Sequence, residues 1–586
     1  MRGWLLVLLT ILLAIGLPAL APNAYVQGLF TLAAVYALLA LSVNLPTGYL
    51  GFLSFGHAAF FGLGGYTAAL LSLTFGVNYW MAVLLAAIPG AILGTLVGLT
   101  SLRVGGAYFA ITSLTVAEIL RLVAYNWVDL TRGPMGLILP RPAVEFLNDL
   151  GVTFSQYYLA IAVLITGACF LLIRLLLESP TGRAWIAIRE SASLAESVSI
   201  PSIYHRVENM TISGALAALA GALLVPKILV VSPELFSPLY SATALLILLV
   251  GGKGTLIGPI VGGMLFAMVP EFFRFIDEFR IPIFAGLLLV VILFQPAGLG
   301  PLFARIGRAR SRRDFHPGKI KHGVTATTNA IGNGQLLLEA KDVTKQFGGL
   351  TAVRNLVFEV REGELVGLMG PNGAGKSTFI DLLSGFQKPS SGNIFFDGRA
   401  VTGSRPHEVA GRGLVRTFQH TTLFMRLSAF ENALMGTGGR LPSSIASSLL
   451  RSPEFRKRER ERCEIARMAL SRVGLQDRGD VAAESLSYGE QRLLSVALAL
   501  AAQPRLLLLD EPAAGLNPAE AERLAEVLRR LRAEGMTIIL VEHNVPMLMN
   551  LCDRLFVIHH GEKIAEGTPR EIAGDGRVKS AYFGED

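Results

Sequence analysis

The chain has 586 residues, of which 52% are hydrophobic and 16% charged, and its formal net charge is +8. This length exceeds one ordinary core, so at least two domains are expected, and the hydrophobic share is too high for a wholly soluble protein. The scattered Cys169, Cys463 and Cys552 exclude a disulfide framework or a cysteine-rich metal site, and the positive charge gathers in one short tract, which does not indicate nucleic-acid binding.

From Met1 to about Gly300 the sequence consists of apolar runs broken by Gly and Pro. About 20 apolar residues cross a bilayer. Runs near 3–21, 27–45, 50–74, 81–99, 107–124, 157–177, 210–231, 239–252, 256–270 and 282–298 therefore predict a polytopic helical membrane domain of about ten spans. The first run also resembles a signal peptide, with Ala19-Leu20-Ala21 as a cleavage-like triplet, but the many spans after it favour an uncleaved helix. Ten spans put both termini on one side. Loops on that side carry Arg2, Arg103, Arg183, Arg189, Arg206 and Lys253, whereas the opposite side has only Arg132, Arg141, Arg274 and Arg280. The imbalance predicts that both termini are cytoplasmic.

Ionisable residues within spans each cost at least ~2.5–3.5 kcal/mol on insertion scales, so His57, Glu118, Arg121, Arg174 and Lys227 need reasons. Arg174 and Lys227 fall near helix ends and can snorkel. Glu118 and Arg121, three residues apart, share a helix face. Two readings stay open for them, an ion pair holding helices together and a contact with substrate. His57 is either a core histidine or a lining residue of a path. Gly62-x-Gly64-Gly65 and Gly258-x-x-x-Gly262 predict close helix packing. Residues 178–206 predict a short cytoplasmic helix with turns at both ends, a rigid element able to carry movement. In the junction 301–335, Arg305, Arg308, Arg310, Arg312, Arg313, Lys319 and Lys321 face only Asp314. This basic cytoplasmic linker is suited to contact with anionic lipid.

From Leu336 the sequence turns into a charged α/β pattern. A buried-strand run, Leu365 to Met369, leads into Gly370-Pro371-Asn372-Gly373-Ala374-Gly375-Lys376-Ser377-Thr378, which fits G-x-x-x-x-G-K-[ST] in the strand-to-helix setting that the motif requires. Gly-rich backbone amides at a helix start cradle phosphates. Lys376 would reach the β- and γ-phosphates and Ser377 would ligate Mg²⁺, so ATP and Mg²⁺ are the expected ligands. About 130 residues on, Leu506-Leu-Leu-Leu-Asp510-Glu511 ends an apolar strand in two acids. Asp510 is placed for the Mg²⁺ shell, and Glu511 can serve as general base toward the attacking water.

Leu486-Ser487-Tyr488-Gly489-Glu490-Gln491 resembles the signature motif of ATP-binding cassette (ABC) proteins, with Tyr488 departing from the usual Gly. Gln419 resembles the Q-loop glutamine, Ala514-Gly-Leu-Asn517 the D-loop, His543 the switch histidine, and Phe347 the aromatic that stacks on adenine. The resemblance covers 336–586 in family order and implies an α/β P-loop NTPase of the ABC type with a helical subdomain, to which Arg451–Arg472 would belong. It also implies that Gln419 joins the metal site and the catalytic group. Ser487 and Gly489 would then donate hydrogen bonds to the γ-phosphate held by a second, head-to-tail cassette.

The rest of the chain narrows the family. Leu41 to Phe60, Gly106 to Thr115, Pro180-Thr-Gly-Arg-Ala184, Ala187-Ile-Arg-Glu190 and Gly251 to Pro259 resemble permeases of branched-chain amino acid importers. Lys345 to Val353, Asp510 to Pro518 and Ile564 to Pro569 resemble their ATPase subunits. Lys253, Ser199 and Asn544 depart from the residues usual there. The resemblance implies a permease (1–300) fused through a linker (301–335) to its ATPase (336–586), importing branched-chain amino acids across the bacterial inner membrane. It also implies a second permease, a second ABC ATPase subunit and a periplasmic solute-binding protein as partners, with membrane lipid around the spans and no nucleic acid. Importers of urea, short amides or aromatic carboxylates share the architecture and remain open. An exporter would be expected to show about six spans with long cytoplasmic extensions.

Overall fold

The ten apolar runs are helical, the run near 81–99 as two helices and the run near 50–74 only from His57 onward. The computed structural model describes residues 2–21, 23–101, 106–142, 152–273, 279–295, 297–300, 334–419, 422–438 and 452–583. The basic junction tract, Arg103 and Arg274 lie outside the described residues. The chain divides into two units, Met1–Arg189 with Ile203–Arg313, and Glu190–Ser202 with Asp314–Asp586.

The first unit contains α1 (Arg2–Leu20), α2 (Ala24–Asn44), α3 (His57–Phe75), α4 (Tyr79–Leu85), α5 (Ala87–Thr100), α6 (Ala107–Asn126), α7 (Phe154–Leu177) and α8 (Pro180–Glu190). After α9 (Ala192–Ser197) the chain continues through α10 (Ser202–Ile228), α11 (Pro238–Gly251), α12 (Gly258–Phe272) and α13 (Arg280–Phe294). Among the described residues, 6 helices are long and apolar enough to cross a membrane alone: Ala24–Leu50, His57–Phe75, Tyr79–Thr100, Ala107–Asn126, Phe154–Leu177 and Ser202–Ile228. α11 and α12 are shorter, 14 and 15 residues, and the chain turns between them at Gly252 and Gly254. A two-residue antiparallel pair, β1 (Leu137–Ile138) with β2 (Val230–Val231), joins two of the loops.

Small residues set the packing of this unit. A Cβ added at Gly221 of α10 would stand 1.8 Å from the Phe61 carbonyl oxygen, and one at Gly64 of α3 2.0 Å from that of Ala218. The two backbones touch, which only glycine allows. A Cβ at Gly262 would stand 2.3 Å from the Ile247 oxygen, so α11 and α12 meet in the same way. α2 runs on as a π-helix, Leu45–Leu50, and then leaves helical geometry at Gly51, where φ is 85°. Backbone freed at membrane depth needs partners from the protein. Asn209 Nδ2 donates to the Leu45 oxygen (3.3 Å) and Arg189 Nη1 to the Gly48 oxygen (2.7 Å). Asn44 spans this break and the one after α11, donating to the Thr255 oxygen (2.8 Å) and accepting from Gly254 N–H (2.9 Å).

His57 is fully buried. Its ring nitrogens meet Ser54 Oγ at 3.1 Å and Ser213 Oγ at 2.8 Å, and Ser213 donates to the Ser42 oxygen. It is a satisfied core histidine rather than a lining residue. Arg174 pairs with Glu178 at the end of α7, and Lys227 donates to the Gly28 carbonyl near the end of α10.

The second unit is built on a six-stranded sheet ordered β12-β11-β5-β10-β9-β8, parallel except for β12. These strands are β5 (Leu365–Met369), β8 (Leu414–Arg416), β9 (Leu506–Asp510), β10 (Thr537–Val541), β11 (Arg554–His559) and β12 (Glu562–Gly567). β5, β9 and β10 are buried along their whole length, as expected of strands covered on both faces. An antiparallel sheet, ordered β4-β3-β6-β7, comprises β3 (Leu336–Phe347), β4 (Leu350–Arg361), β6 (Ser391–Phe396) and β7 (Arg399–Ala400). Phe358 stacks edge-on against Phe379 and Phe556, joining the two sheets into one apolar core.

Helices of this unit are α14 (Lys376–Leu383), α15 (Pro406–Gly411), α16 (Ala429–Gly436), α17 (Pro453–Arg472), α18 (Tyr488–Ala501), α19 (Pro518–Ala533) and α20 (Val545–Leu551). α16, α17 and α18 pack on one another as a helical subdomain. The segment expected to be one cytoplasmic helix is two, α8 and α9, and α9 packs with α15 in the second unit. Ser199 just after α9 has φ 66°, a left-handed backbone that explains why Gly is the usual residue there.

Candidate nucleotide site

The phosphate loop connects the buried β5 to α14. Gly373 and Gly375 hold φ of 79° and 99°, and a Cβ on Gly375 would stand 2.3 Å from the Ala352 oxygen. These glycines turn the loop tightly into the start of α14. Lys376, the first residue of that helix, is buried, and its ammonium donates to the carbonyls of Gly370 (2.6 Å) and Pro371 (2.9 Å). Burial pulls its pKa down, while the charges of Glu511 and Asp510 pull it up. Asn372 and Ser377 are exposed, and Thr378 is half-buried.

Asp510 ends β9 and is buried. Its Oδ2 accepts from Arg416 Nη2 at 3.1 Å, and Arg416 also donates to Asp381 and to Ser384 Oγ. Burial pushes the Asp510 carboxyl up, and the Arg416 charge opposes this. Phe386 and Phe418 lie beside the guanidinium with ring centroids 5.6 and 5.1 Å from its carbon. Sequence reasoning passed over Arg416. An arginine closing the apolar Leu414-Val415 strand was the available signal, because a charge there must find a carboxylate.

Glu511 adopts φ 46°, strained for a residue with a Cβ at ~1–3 kcal/mol. Three bonds hold it. Its N–H donates to the Val541 oxygen (2.9 Å), Gln419 Nε2 donates to Oε2 (2.7 Å), and His543 Nε2 lies 2.7 Å from Oε1. Gln419, Glu511 and His543, far apart in sequence, are therefore one hydrogen-bonded group. Glu542, also missed, accepts the Ala513 N–H at 2.6 Å, and burial raises its pKa. Phe347, at the end of β3, is 45% exposed with Lys345 Nζ 4.9 Å from its ring centre.

Ser487 caps α18. Glu490 N–H donates to Ser487 Oγ (3.2 Å), and Ser487 N–H donates to Glu490 Oε2 (3.0 Å). A Cβ on Gly489 would meet the Glu520 carboxylate at 2.6 Å. Tyr488, the departure from the usual glycine, donates to the Ala514 oxygen (3.1 Å) and lies under Arg492. It ties the signature motif to the D-loop. Among the described residues, no hydrogen bond joins Ser487 or Gly489 to the phosphate loop of the same chain. Asn544, where Asp is usual, accepts the Met547 N–H and caps α20, a task either residue performs.

The residues that would offer oxygen to a hard cation are Ser377 through its hydroxyl, Asp510 through its carboxylate and Gln419 through its amide oxygen, its nitrogen being engaged by Glu511. Among the described residues no three His, Cys, Asp or Glu gather as a metal cluster. A donor set of this kind fits Mg²⁺ completed by phosphate oxygens and water.

Comparison with known proteins gives two family matches. Residues 25–295 match a family described as the branched-chain amino acid transport system permease component, and residues 353–514 match the ABC transporter family. The high-affinity branched-chain amino acid transport ATP-binding protein LivG of Salmonella typhimurium is 42% identical over 252 residues, covering 43% of this chain and 99% of that protein. BraF of Pseudomonas aeruginosa, with the same description, is 40% identical over 250 residues, 42% of this chain and 98% of that protein. A crystal structure of a nucleotide-free ATP-binding cassette is 32% identical, with a TM-score of 0.38, covering 43% of this chain and all of that one.

Proposed function

Because the chain belongs to the branched-chain amino acid ABC transporter family, with permease and ATPase joined in one polypeptide, we propose that it imports leucine, isoleucine and valine across a bacterial inner membrane. The observation that carries the ATPase half is the bonded group Gln419–Glu511–His543 within electrostatic reach of Lys376. It unites the groups that phosphoryl transfer to water requires.

In this reading Phe347 stacks on adenine. The amides of Gly370, Asn372, Gly373 and Gly375, with Lys376 and Thr378, bind the phosphates of ATP. Mg²⁺, held by Ser377, Asp510 and Gln419, would neutralise charge on the β- and γ-phosphate oxygens. Glu511 takes a proton from the attacking water, a role worth about 10²–10⁴-fold. His543 fixes one carboxylate oxygen of Glu511 and Gln419 the other, so the base faces one direction. Ser487 and Gly489, at the N-terminus of a 14-residue helix, donate to the γ-phosphate bound by a second cassette. The complete machine then needs a second permease, a second ATPase subunit and a periplasmic solute-binding protein.

The test is uptake of labelled leucine by cells carrying or lacking this chain, with its partner subunits present. Loss of ATP-dependent leucine uptake on deletion supports the reading. Unchanged leucine uptake, with the cassette still hydrolysing ATP, redirects it to urea, short amides or aromatic carboxylates. Glu511→Gln should retain bound ATP and stop uptake without disturbing assembly, and normal uptake by that variant would remove Glu511 as base.

A further inference from the structure

α6 is the least covered of the span-length helices, with 28% of its apolar window buried against 67% for α10. Its open side carries Tyr108, Ile111, Thr115, Ile119, Leu122, Val123 and Tyr125, with Glu118 and Arg121 half-buried beside them. Glu118 is the twelfth of 20 helical residues, about 2 Å from mid-helix at a 1.5 Å rise. Its carboxylate is gripped by the Arg121 fork, Nε to Oε2 at 2.9 Å and Nη2 to Oε1 at 2.7 Å. Both partners sit on one helix, so the pair does not hold helices together. The two side chains remain 40% and 28% exposed.

Hydrocarbon cannot solvate such a pair, and an i,i+3 ion pair on one helix stabilises too little to offset the cost of placing it there. The Glu118–Arg121 pair therefore needs water or protein beside it, as a path closed by the second permease would supply. Charge complementarity identifies its occupant. An α-amino acid carries a carboxylate and an ammonium on one carbon, and a guanidinium fork matches a carboxylate with two parallel hydrogen bonds.

We infer that Glu118 and Arg121 form a zwitterion-binding site in the translocation path. Arg121 takes the α-carboxylate and Glu118 the α-ammonium, while Ile111 and Leu122 offer apolar surface to a branched side chain. The inference rests on the amino acid cargo proposed above. It has a physical logic of its own. The pair neutralises itself before the zwitterion enters and after it leaves, and the four charges cancel while it is bound. The Glu234 carboxylate, within electrostatic reach of Arg121, leaves one further negative charge beside the site.

The test uses the full chain assembled with its partner subunits in liposomes. Glu118→Gln and Arg121→Gln should each lower leucine uptake by about tenfold or more, with Glu118→Asp and Arg121→Lys intermediate. Recovery of the intact assembly at unaltered yield should show that the variants fold, and ATP hydrolysis should stay within about twofold of the unaltered assembly. Separately, the thiol introduced by Thr115→Cys on the same open side should react with a water-soluble, membrane-impermeant thiol reagent beyond the background of the unsubstituted chain, and leucine should slow that reaction. Normal leucine uptake by both Gln variants, or an introduced thiol that never reacts, overturns the site. Absence of leucine uptake by the unaltered assembly, with the introduced thiol protected by urea and by no α-amino acid, overturns the cargo reading and the zwitterion with it, while leaving the path on α6.

Discussion

Arg416 holds two carboxylates at once, the half-buried Asp381 from α14 and the buried Asp510 from β9. That links the helix that starts at the phosphate loop to the strand that ends in the acids. The guanidinium also lies beside two aromatic rings that contact each other edge-on. Replacing it with an apolar residue leaves a buried carboxylate without its partner, which typically costs about 3–5 kcal/mol. Arg416→Met should therefore lower the melting temperature of the purified chain and sharply weaken ATP binding, because Asp510 would then favour its neutral form. Arg416→Lys should recover part of the stability, but a point charge cannot serve two carboxylates in the geometry of a fork. A melting curve unchanged in Arg416→Met would show that Asp510 has another source of compensation.

At the scale of elements, α18 and the α8–α9 pair show how short helices carry specific tasks. Ser487 and Glu490 close the capping box of α18, and the Glu490 carboxyl sits below its ordinary pKa chiefly because the Ser487 N–H donates to it. A depressed carboxylate pKa adds stability above the unfolded value, and that stability is lost as pH falls through the lower folded value. Glu490→Gln should thus melt below the unaltered chain at neutral pH, and the gap should close under acid once Glu490 is protonated. Near the end of α8, the Arg189 guanidinium holds the Gly48 carbonyl freed by the π-turn of α2. One residue later the chain enters the segment that packs with the cassette, where Leu194 and Val198 line a small cavity with Phe418, the neighbour of Gln419. Arg189→Ala should leave ATP hydrolysis near normal while uptake falls about 2- to 30-fold, the range for a coupling term of ~0.5–2 kcal/mol. Equal loss of both activities would mean that Arg189 serves the fold alone. The apolar helices, the buried strands that lead into the phosphate loop and into Asp510-Glu511, and the phosphate loop itself were legible because apolar runs and glycine spacing are local signals. The partners of Arg416, the left-handed backbone at Glu511 and the bridging by Asn44 were not, since each depends on residues brought together from distant parts of the chain.

The whole molecule carries one phosphate loop and one signature motif, and the latter is engaged with its own D-loop through Tyr488. In the function proposed above, such a cassette is half a site. Its apolar core nonetheless closes on itself, since the cluster that runs from Leu337 to Ile558 draws every member from the second unit. A separate protein, LivG of Salmonella typhimurium, corresponds to this part of the chain over 99% of its own length. Joining the two units in one polypeptide thus raises the effective concentration of cassette at permease without supplying a missing part of either fold. Residues 1–300 and 334–586, expressed as two polypeptides with the partner subunits, should therefore assemble and restore leucine uptake. The cassette alone should fold, and its hydrolysis rate should rise more steeply than linearly with its concentration, because two copies are needed to complete each nucleotide site. A rate strictly proportional to concentration would mean that one cassette suffices, and the assignment of Ser487 and Gly489 to a partner's phosphate would fall.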